Sequence, residues 1–245
     1  MTGVLIVSGG SRGIGAATAI CAAREGWDVA INYARDKAAA SSVANQVRAL
    51  GQRAIIVKAD MSNESDIQRL FDETEKELGS LKGLVTSAGT TGKTARVEDI
   101  TLEAINEVMQ LNVIGLMLCC REAVKRMSTK NGGEGGNIVN LGSAASRLGG
   151  PNEFVHYATS KGAVDSFTLG LAREVAAEGV IVNAVSPGMI DTEIHASAGL
   201  PNRAVEGIPI RRVGQPEEVA ETIVWLLSKG ASYCAGAIIP VTGGR

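Results

Sequence analysis

The chain has few aromatic residues and no surplus of positive charge. Phe, Trp and Tyr make up 3% of its 245 residues, so its core must be built from aliphatic side chains. Lysine and arginine number 24 against 26 aspartates and glutamates, which gives a formal net charge of −2. Proteins that bind nucleic acid through its phosphates normally carry a basic excess. The composition therefore argues against a nucleic-acid partner.

Cysteine, histidine and long apolar runs are also scarce. The four cysteines form no CxxC pair, and the adjacent Cys119 and Cys120, within a long helical pattern, are expected to be packing residues. The two histidines, His156 and His195, have no metal-ligand company, so no metal site is expected. We find no apolar run of the roughly 18 residues that a membrane span needs. The N-terminus lacks the charged and apolar regions of a signal peptide, which predicts a cytoplasmic protein without a membrane partner.

Short aliphatic runs alternate with helical patterns along the chain. This alternation is typical of a parallel sheet with helices on both faces. No linker or repeat interrupts it, which predicts a single domain over residues 1–245. The predicted strands lie at 4–7, 29–33, 54–57, 84–86, 138–141, 181–185 and 238–241.

One segment, residues 189–212, has no clean periodicity and contains two glycines and two prolines. Long irregular loops in compact domains are often lids or binding segments. This segment follows the carboxyl end of a predicted strand, where α/β sheets bind ligands. We therefore predict a substrate lid at about 189–212, with an ordinary surface insertion as the alternative.

A glycine-rich segment follows the first predicted strand and opens the first predicted helix. Its pattern, GxxxGxG, permits a sharp turn and a close approach of the backbone to a ligand. The helix N-terminus offers N–H groups and the positive end of the helix dipole to a pyrophosphate. A glycine turn without a ligand is the alternative. The predicted cofactor contacts here are Gly9, Ser11, Arg12, Gly13, Ile14 and Gly15.

Tyr157 and Lys161 lie four residues apart in a helical pattern, so both side chains project from one helix face. A nearby ammonium favours the phenolate over the phenol. Such a tyrosine can act as a general acid or base near neutral pH. The spacing alone is common on solvated helix faces, and its meaning depends on the other motifs.

The GxxxGxG segment and the tyrosine–lysine pair together resemble the short-chain dehydrogenase/reductase family. The resemblance extends from SGGSRGIG to the closing VTGG, over essentially the whole chain. It implies a single-domain α/β Rossmann fold, with a doubly wound seven-stranded parallel sheet flanked by helices on both faces. It also implies a nicotinamide-dependent oxidoreductase acting on CH–OH groups, assembled as a homotetramer or homodimer. The catalytic residues implied are Asn112, Ser143, Tyr157 and Lys161.

The resemblance also implies a task for each of these residues. Tyr157 exchanges a proton with the substrate oxygen, and Lys161 depresses the tyrosine pKa and holds the nicotinamide ribose. Ser143 hydrogen-bonds the substrate oxygen, with Ser146 as a rival for this role. Asn112 exposes its backbone carbonyl at a helix kink and holds water for a proton relay.

The second predicted strand bears on the choice of nicotinamide cofactor. NAD-binding Rossmann proteins place an acidic residue near its end, on the ribose 2′-hydroxyl. Asn32 occupies that position here, and Arg12 and Arg35 can supply cations to a 2′-phosphate. We therefore predict NADP(H) over NAD(H). Asp36 is the counter-argument, because it could reach the ribose.

The family resemblance supplies the remaining cofactor contacts. It places Asp60 beside the adenine, although Asp60 could also cap the following helix. The family's NNAG turn is replaced by Thr86-Ser87-Ala88-Gly89, and what substitutes for the asparagines is left open. Beyond the glycine segment and the strand that follows it, the implied contacts are Asp60, Met61, Ala88, Gly89, Tyr157, Lys161, Pro187, Gly188, Ile190 and Thr192.

The substrate is expected to lie between residues 144–156 and the segment 189–212. We expect a sugar, a polyol or another small carbonyl compound. The alternative is a 3-oxoacyl-[acyl-carrier-protein] reductase. Members of that subgroup use arginines near the pocket mouth, at positions that align here with Glu134 and Glu178, and two acidic residues should repel an acidic carrier protein. A non-catalytic NADP(H)-sensing protein is the alternative from another class.

Overall fold

The computed structural model describes residues 3–192 and 203–245. Seven parallel strands form one sheet in the order β3-β2-β1-β4-β5-β6-β7. The predicted alternation of strands and helices and the doubly wound sheet are thereby confirmed. The strands are β1 (Val4–Ser8), β2 (Asp28–Tyr33), β3 (Ala54–Lys58), β4 (Leu81–Thr86), β5 (Gly136–Leu141), β6 (Val180–Pro187) and β7 (Ile238–Val241).

Helices connect these strands, and polar side chains fix where several of them begin. Asp36, Asn63 and Thr101 each accept a hydrogen bond from a backbone N–H of the first helical turn that follows. The helices are α1 (Gly13–Arg24), α2 (Lys37–Ala49), α3 (Glu64–Leu78), α4 (Leu102–Met109), α5 (Leu116–Met127), α6 (Ala145–Leu148), α7 (Val155–Val175), α8 (Arg203–Glu206) and α9 (Pro216–Leu226).

The sheet separates two aliphatic cores. Successive strand residues point to opposite faces. Leu5 and Val7 therefore join the core beneath α1, α2 and α9, while Val4 and Ile6 join the core beneath α3, α5 and α7. Both faces of β1 are buried, which explains its uninterrupted apolar sequence.

The order of the strands reverses between β1 and β4. In doubly wound sheets the loops on the two sides of such a switch point diverge and leave a crevice at the carboxyl ends of the strands. The glycine segment follows β1, and the loops after β4, β5 and β6 begin at the same edge of the sheet. Residues far apart in the sequence are thereby brought to one crevice.

An 18-residue window of the helical run Leu102–Met127 has a mean hydropathy of 1.3, and by length and composition alone this run could cross a membrane. The sequence contains no uninterrupted apolar run of that length, but the mean hydropathy of this window is high enough for a membrane-spanning helix. In this fold a π-helical segment, Gln110–Gly115, divides the run into α4 and α5. The buried side of α5, including Cys120 and Met127, packs into the core on one face of the sheet. The apolar composition of the run therefore fits a helix that covers a sheet.

Candidate active site

The glycine segment packs tightly against the turn after β4. Gly9 and Gly13 have φ angles of +62° and +52°, in the left-handed region that favours glycine. A Cβ on Gly9 would lie 2.8 Å from the Cα of Ala88, and a Cβ on Gly15 would collide with the Gly9 carbonyl oxygen. Helix α1 begins at Gly13, so its N-terminus faces the segment. This geometry fits a dinucleotide pyrophosphate.

Asn32 supports the glycine segment from within the protein. Its side chain is buried, accepts a hydrogen bond from the Gly9 N–H (3.0 Å) and donates one to the Ala59 carbonyl (2.9 Å). From its position near the end of the second strand, Asn32 is predicted as a cofactor contact. The structure corrects that prediction, because the amide instead ties the ends of β1, β2 and β3 together.

Asp36 also has a structural partner. Its carboxylate accepts a hydrogen bond from the Ala39 N–H at 2.9 Å and caps α2. The acidic group that could have reached a ribose is therefore a helix cap. Arg12 and Arg35 are both exposed at the same edge of the sheet.

The turn after β3 holds two of the predicted adenine contacts. The Asp60 carboxylate accepts hydrogen bonds from the N–H and the hydroxyl of Ser62, at 2.9 and 2.7 Å. Asn63 caps α3, so the alternative role of Asp60 as that cap is wrong. Met61 is buried against Cys119, and its carbonyl oxygen leaves no space for a side chain at Gly115. The turn is thereby held against the π-helical segment.

Thr86 takes over a structural link at the end of β4. Its hydroxyl donates to Asn140 Oδ1 at 2.9 Å, and Asn140 Nδ2 donates to the Thr168 hydroxyl at 3.0 Å. The Ala88 N–H donates to the Ser8 hydroxyl at 3.2 Å. This chain of bonds joins β1, β4, β5 and α7. The sequence signal for it was a polar asparagine within the buried β5 run.

Asn112 lies in the π-helical segment, which provides the predicted kink. Its side chain accepts from the Thr90 N–H (2.9 Å) and donates to the Thr90 carbonyl (2.8 Å) and the Ser160 hydroxyl (3.1 Å). These three bonds fasten the loop after β4 to α7. Asn112 thus fixes the position of the helix that carries Tyr157 and Lys161.

Lys161 is buried beside the glycine turn after β4. Its Nζ donates to the Leu141 carbonyl at 2.6 Å and lies 5.8 Å from the centre of the Tyr157 ring. A Cβ on Gly89 would be 3.9 Å from the same nitrogen. Burial lowers the pKa of Lys161 to about 8. The side chain is therefore a cation at neutral pH that can lose its proton under mildly basic conditions.

Tyr157 and Ser143 are joined by a hydrogen bond between their side chains. Burial raises the pKa of Tyr157 above its ordinary value, and the bond to Ser143 only partly opposes this effect. The expectation that Lys161 depresses this pKa is not met, because burial is the largest influence and Ser143 is the group that opposes it. The phenol is consequently protonated at neutral pH and available as an acid.

Ser146 supports Ser143 in this arrangement. The Ser146 hydroxyl donates to the Ser143 carbonyl at 2.9 Å, whereas the Ser143 hydroxyl contacts Tyr157. The Ala145 N–H donates to Ser143 Oγ at 3.1 Å and helps to orient that hydroxyl. The geometry favours Ser143 over its rival as the residue that meets the substrate oxygen.

The loop after β6 returns to the glycine segment. The Pro187 carbonyl accepts a hydrogen bond from the Ala144 N–H at 2.8 Å, and the Gly188 N–H donates one to the Val241 carbonyl at 2.9 Å. Ile190 is buried, and the Thr192 methyl lies 3.2 Å from the place of a Cβ on Gly13. Thr192 therefore lies beside the glycine segment, Ile190 belongs to the aliphatic core, and the cofactor contacts predicted for this loop stay predictions.

Only part of the predicted lid is described. Glu193, His195 and Leu200, which belong to the expected substrate wall, lie outside the described residues. The remainder of the segment includes the short helix α8 and the turn that leads to α9.

The other predicted substrate wall is tied to the loop after β4. The Ala95 N–H donates to the Glu153 carbonyl at 3.0 Å, and Arg96 donates to Asn152 Oδ1 at 2.9 Å. His156 is buried beneath Gly92, and neither ring nitrogen has a hydrogen-bond partner among the described residues. Across residues 3–192 and 203–245 no group of three or more His, Cys, Asp and Glu side chains is arranged to hold a metal ion.

Glu134 and Glu178 lie away from this crevice. They precede β5 and β6, at the amino ends of the strands. Glu134 pairs with Lys82 at 2.6 Å, and Glu178 accepts from the Ser128 hydroxyl at 2.5 Å. The expectation that Glu134 and Glu178 flank the mouth of the substrate pocket is therefore wrong, because this chain's crevice lies at the opposite, carboxyl ends of the strands.

Comparison with known proteins identifies this architecture. The family model described as Enoyl-(Acyl carrier protein) reductase matches residues 9–245. A solved short-chain dehydrogenase/reductase from Serratia marcescens BCRC 10948 has a TM-score of 0.92 and 31% identity, covering 99% of this chain and 97% of that one. This chain belongs to the short-chain dehydrogenase/reductase family. It is a nicotinamide-dependent dehydrogenase/reductase that acts on CH–OH groups.

Other relatives of this short-chain dehydrogenase/reductase differ in their named activities. Uncharacterized oxidoreductase YgfF of Escherichia coli (strain K12) is 50% identical over 99% of both chains. The 3-oxoacyl-[acyl-carrier-protein] reductase of Synechocystis sp. is 37% identical, over 98% of this chain and 96% of that one. Glucose 1-dehydrogenase 2 of Bacillus subtilis (strain 168) is 35% identical, over 98% of this chain and 93% of the relative.

One solved relative is described with its cofactor. A blue fluorescent protein from a metagenomic library, in complex with NADPH, has a TM-score of 0.92 and 30% identity. It covers 99% of this short-chain dehydrogenase/reductase, which covers 97% of it in turn. The likeness therefore includes the crevice built by the glycine segment and the loops after β4, β5 and β6.

Proposed function

We propose that this short-chain dehydrogenase/reductase transfers hydride between NADP(H) and the carbonyl or secondary alcohol of a sugar, a polyol or another small carbonyl compound. The proposal is supported above all by the contact of the Tyr157 hydroxyl with Ser143 and by the buried Lys161 cation, whose nitrogen lies 5.8 Å from the centre of the Tyr157 ring. This group lies at the carboxyl ends of the strands, beside a glycine segment shaped for a pyrophosphate.

Each side chain has a defined task in the reduction. The Ser143 hydroxyl donates a hydrogen bond to the substrate oxygen, where negative charge develops. Tyr157, protonated at neutral pH, transfers its proton to that oxygen as a general acid. The Lys161 ammonium then stabilises the phenolate that remains. The nicotinamide supplies the hydride. Asn112 holds the loop after β4 against α7 so that these groups keep their spacing.

A substrate screen tests this function directly. Purified protein is mixed with NADPH and, in turn, with aldoses, ketoses, small ketones and a 3-oxoacyl thioester, and NADPH consumption is recorded at 340 nm. We expect turnover with sugar-like or small carbonyl compounds. Faster turnover of the thioester would favour the carrier-protein reductase, in line with the Synechocystis relative. Tight NADPH binding without any turnover would support a cofactor sensor instead.

NADP(H) is the cofactor we propose over NAD(H). Arg12 and Arg35 are exposed near the end of β2, no carboxylate occupies the position of Asn32, and Asp36 caps a helix. Arginine binds phosphate oxygens well. The NADPH complex of the metagenomic relative adds support. A clear preference of the wild-type enzyme for NADH would contradict this choice.

Arg35→Ala is expected to raise KM for NADPH by roughly tenfold and to change KM for NADH by less than about twofold. The reason is the loss of a charge-assisted hydrogen bond, which contributes about 1.5–3 kcal/mol. Steady-state kinetics with both cofactors measure the effect. Lys76→Ala, which removes an exposed cation at the end of α3, is the matched control and should leave both values unchanged. Equal increases for the two cofactors would contradict a 2′-phosphate contact.

We also propose that the enzyme is a homotetramer in the cytoplasm, with a second copy of the chain as its partner. Large apolar side chains are exposed along α4, α5 and the π-helical segment that joins them, namely Leu102, Ile105, Ile114 and Met117. Four free thiols suit a reducing compartment. Sedimentation velocity should give a mass of four 25.3 kDa chains, and a monomer at micromolar concentration would contradict the assembly.

A further inference from the structure

A carboxylate lies directly behind the tyrosine–lysine pair. Asp165 follows Lys161 by four residues on α7, so both side chains project from the same helix face. Its Oδ1 atom is buried and has no hydrogen-bond partner among the described residues. A buried carboxylate oxygen without a partner is costly unless a positive charge compensates for it. Its position therefore calls for an explanation.

The Asp165 carboxylate lies close to the backbone at the end of β5. A Cβ at Gly142 would lie 3.1 Å from Asp165 Oδ1 and 3.1 Å from the Ser186 hydroxyl. Gly142 separates Leu141, whose carbonyl accepts from Lys161, and Ser143, which contacts Tyr157. Asp165 thus borders the backbone that positions both halves of the catalytic group.

A serine connects the carboxylate to the other half of the site. The Ser146 hydroxyl lies within reach of both the Asp165 carboxylate and the Ser143 carbonyl, the latter at 2.9 Å, and its single proton can be donated to one of them at a time. The contact draws α6, the end of β5 and α7 into one polar cluster beneath the crevice.

Few charged groups face this cluster. Helix α7 contributes Lys161, Tyr157 and Asp165, and Arg147 acts on Asp165 from α6. Strands β5 and β6 present an uncharged carbonyl at Leu141 and the Ser186 hydroxyl. Asp165 is therefore the anion that opposes the effect of burial on the lysine, and it raises the pKa of Lys161.

We propose that Asp165 is a positioning residue of the reaction, which keeps Lys161 charged in its buried site and, through Ser146, holds the turn that carries Ser143. The inference rests on the proposed function of the same site. Its physical basis is the attraction between two opposite charges one helical turn apart, of which Lys161 is buried and Asp165 is partly buried.

Asp165→Asn, which removes the charge and keeps the shape, tests the proposal. Lys161 acts as an ammonium, so activity falls as pH rises through its pKa. In the variant the high-pH limb of kcat should move down by about one pH unit. Glu174→Gln removes an exposed carboxylate from the same helix and is the matched control, with no expected shift. Asp165→Glu restores the charge and should return the limb towards its wild-type position. A limb unmoved in Asp165→Asn would overturn the proposal.

A second readout does not need a substrate. NMR of ¹³Cε-labelled lysine across a pH series, with the Lys161 signal assigned from its loss in Lys161→Arg, reports the protonation of this buried amine directly. The midpoint should fall by about one pH unit in Asp165→Asn. An unchanged midpoint overturns the inference even where turnover is normal. A shifted midpoint in a protein that reduces no carbonyl would refute the proposed function and with it a role of Asp165 in the reaction, and would leave only the charge pairing of Asp165 with Lys161.

Ser146→Ala keeps the proposal testable where Asp165→Asn does not fold. It cuts the connection between Asp165 and Ser143 without changing any charge. We expect kcat to fall about tenfold, as for the loss of one hydrogen bond to a charged group. KM for NADPH and the Lys161 midpoint should stay constant. A kcat equal to that of the wild type would overturn the role of Ser146 as the link.

Discussion

Tyr157→Phe is expected to lower kcat by about a thousandfold or more and to leave the Kd for NADPH within roughly twofold. The variant keeps the ring, which lies 5.8 Å from the Lys161 nitrogen, and loses only the hydroxyl. Without it no acid stands beside Ser143 to protonate the substrate oxygen. Steady-state kinetics and NADPH fluorescence titration separate the two effects.

Tyr233→Phe is the matched control for this experiment. It removes the same hydroxyl from a fully exposed tyrosine far along the chain, and activity should not change. Turnover near the wild-type rate in Tyr157→Phe would show that another group transfers the proton. A loss of NADPH binding together with turnover would indicate a structural defect instead.

Gly9→Ala is expected to abolish measurable NADPH binding and to destabilise the protein by about 1–3 kcal/mol. Two causes act together. The φ of +62° is strained for alanine, and the new methyl would lie 2.8 Å from the Cα of Ala88. Since the neighbour is backbone, relief requires the glycine segment or the turn after β4 to move. Isothermal titration with NADPH and chemical denaturation measure the two losses.

Gly51→Ala separates these causes. Gly51 follows α2 and has a φ of +86°, but nothing lies within 4 Å of its would-be Cβ. The substitution carries the backbone strain without the contact, so it should cost about 1 kcal/mol and leave NADPH binding intact. Equal effects in the two variants would show that strain alone accounts for Gly9→Ala and that the close packing on Ala88 has no role.

Local pattern was sufficient to predict the elements of the fold. Buried parallel strands need unbroken apolar runs and their helices need an apolar stripe, and both can be read over a few neighbouring residues. The run at 4–7 is an example, and it appears in the structure as Val4–Ser8. The pairing of Asn32 with Gly9 spans 23 residues and that of Thr86 with Asn140 spans 54, so local sequence could not predict which residue each asparagine would meet.

The electrostatic expectations depended most on the tertiary structure. A tyrosine four residues before a lysine suggested a lowered phenol pKa, yet burial raises the pKa of Tyr157. The acidic residues Glu134 and Glu178 suggested a repulsive pocket mouth, yet both lie at the amino ends of their strands. A sequence shows which residues carry charge, but it does not show how deeply a side chain is buried or at which end of the sheet it lies.

The sequence by itself determined the alternation of strands and helices, and through family resemblance it supplied the residues of the catalytic group. Its scarcity of aromatics also required the aliphatic core that is found. Only the tertiary structure decided that Asn32 and Asp36 serve the scaffold and that Asp165 lies behind Lys161. The physical reason is that hydrogen bonds and buried charges depend on distances across the sheet, which form only when loops from several strands meet at one edge.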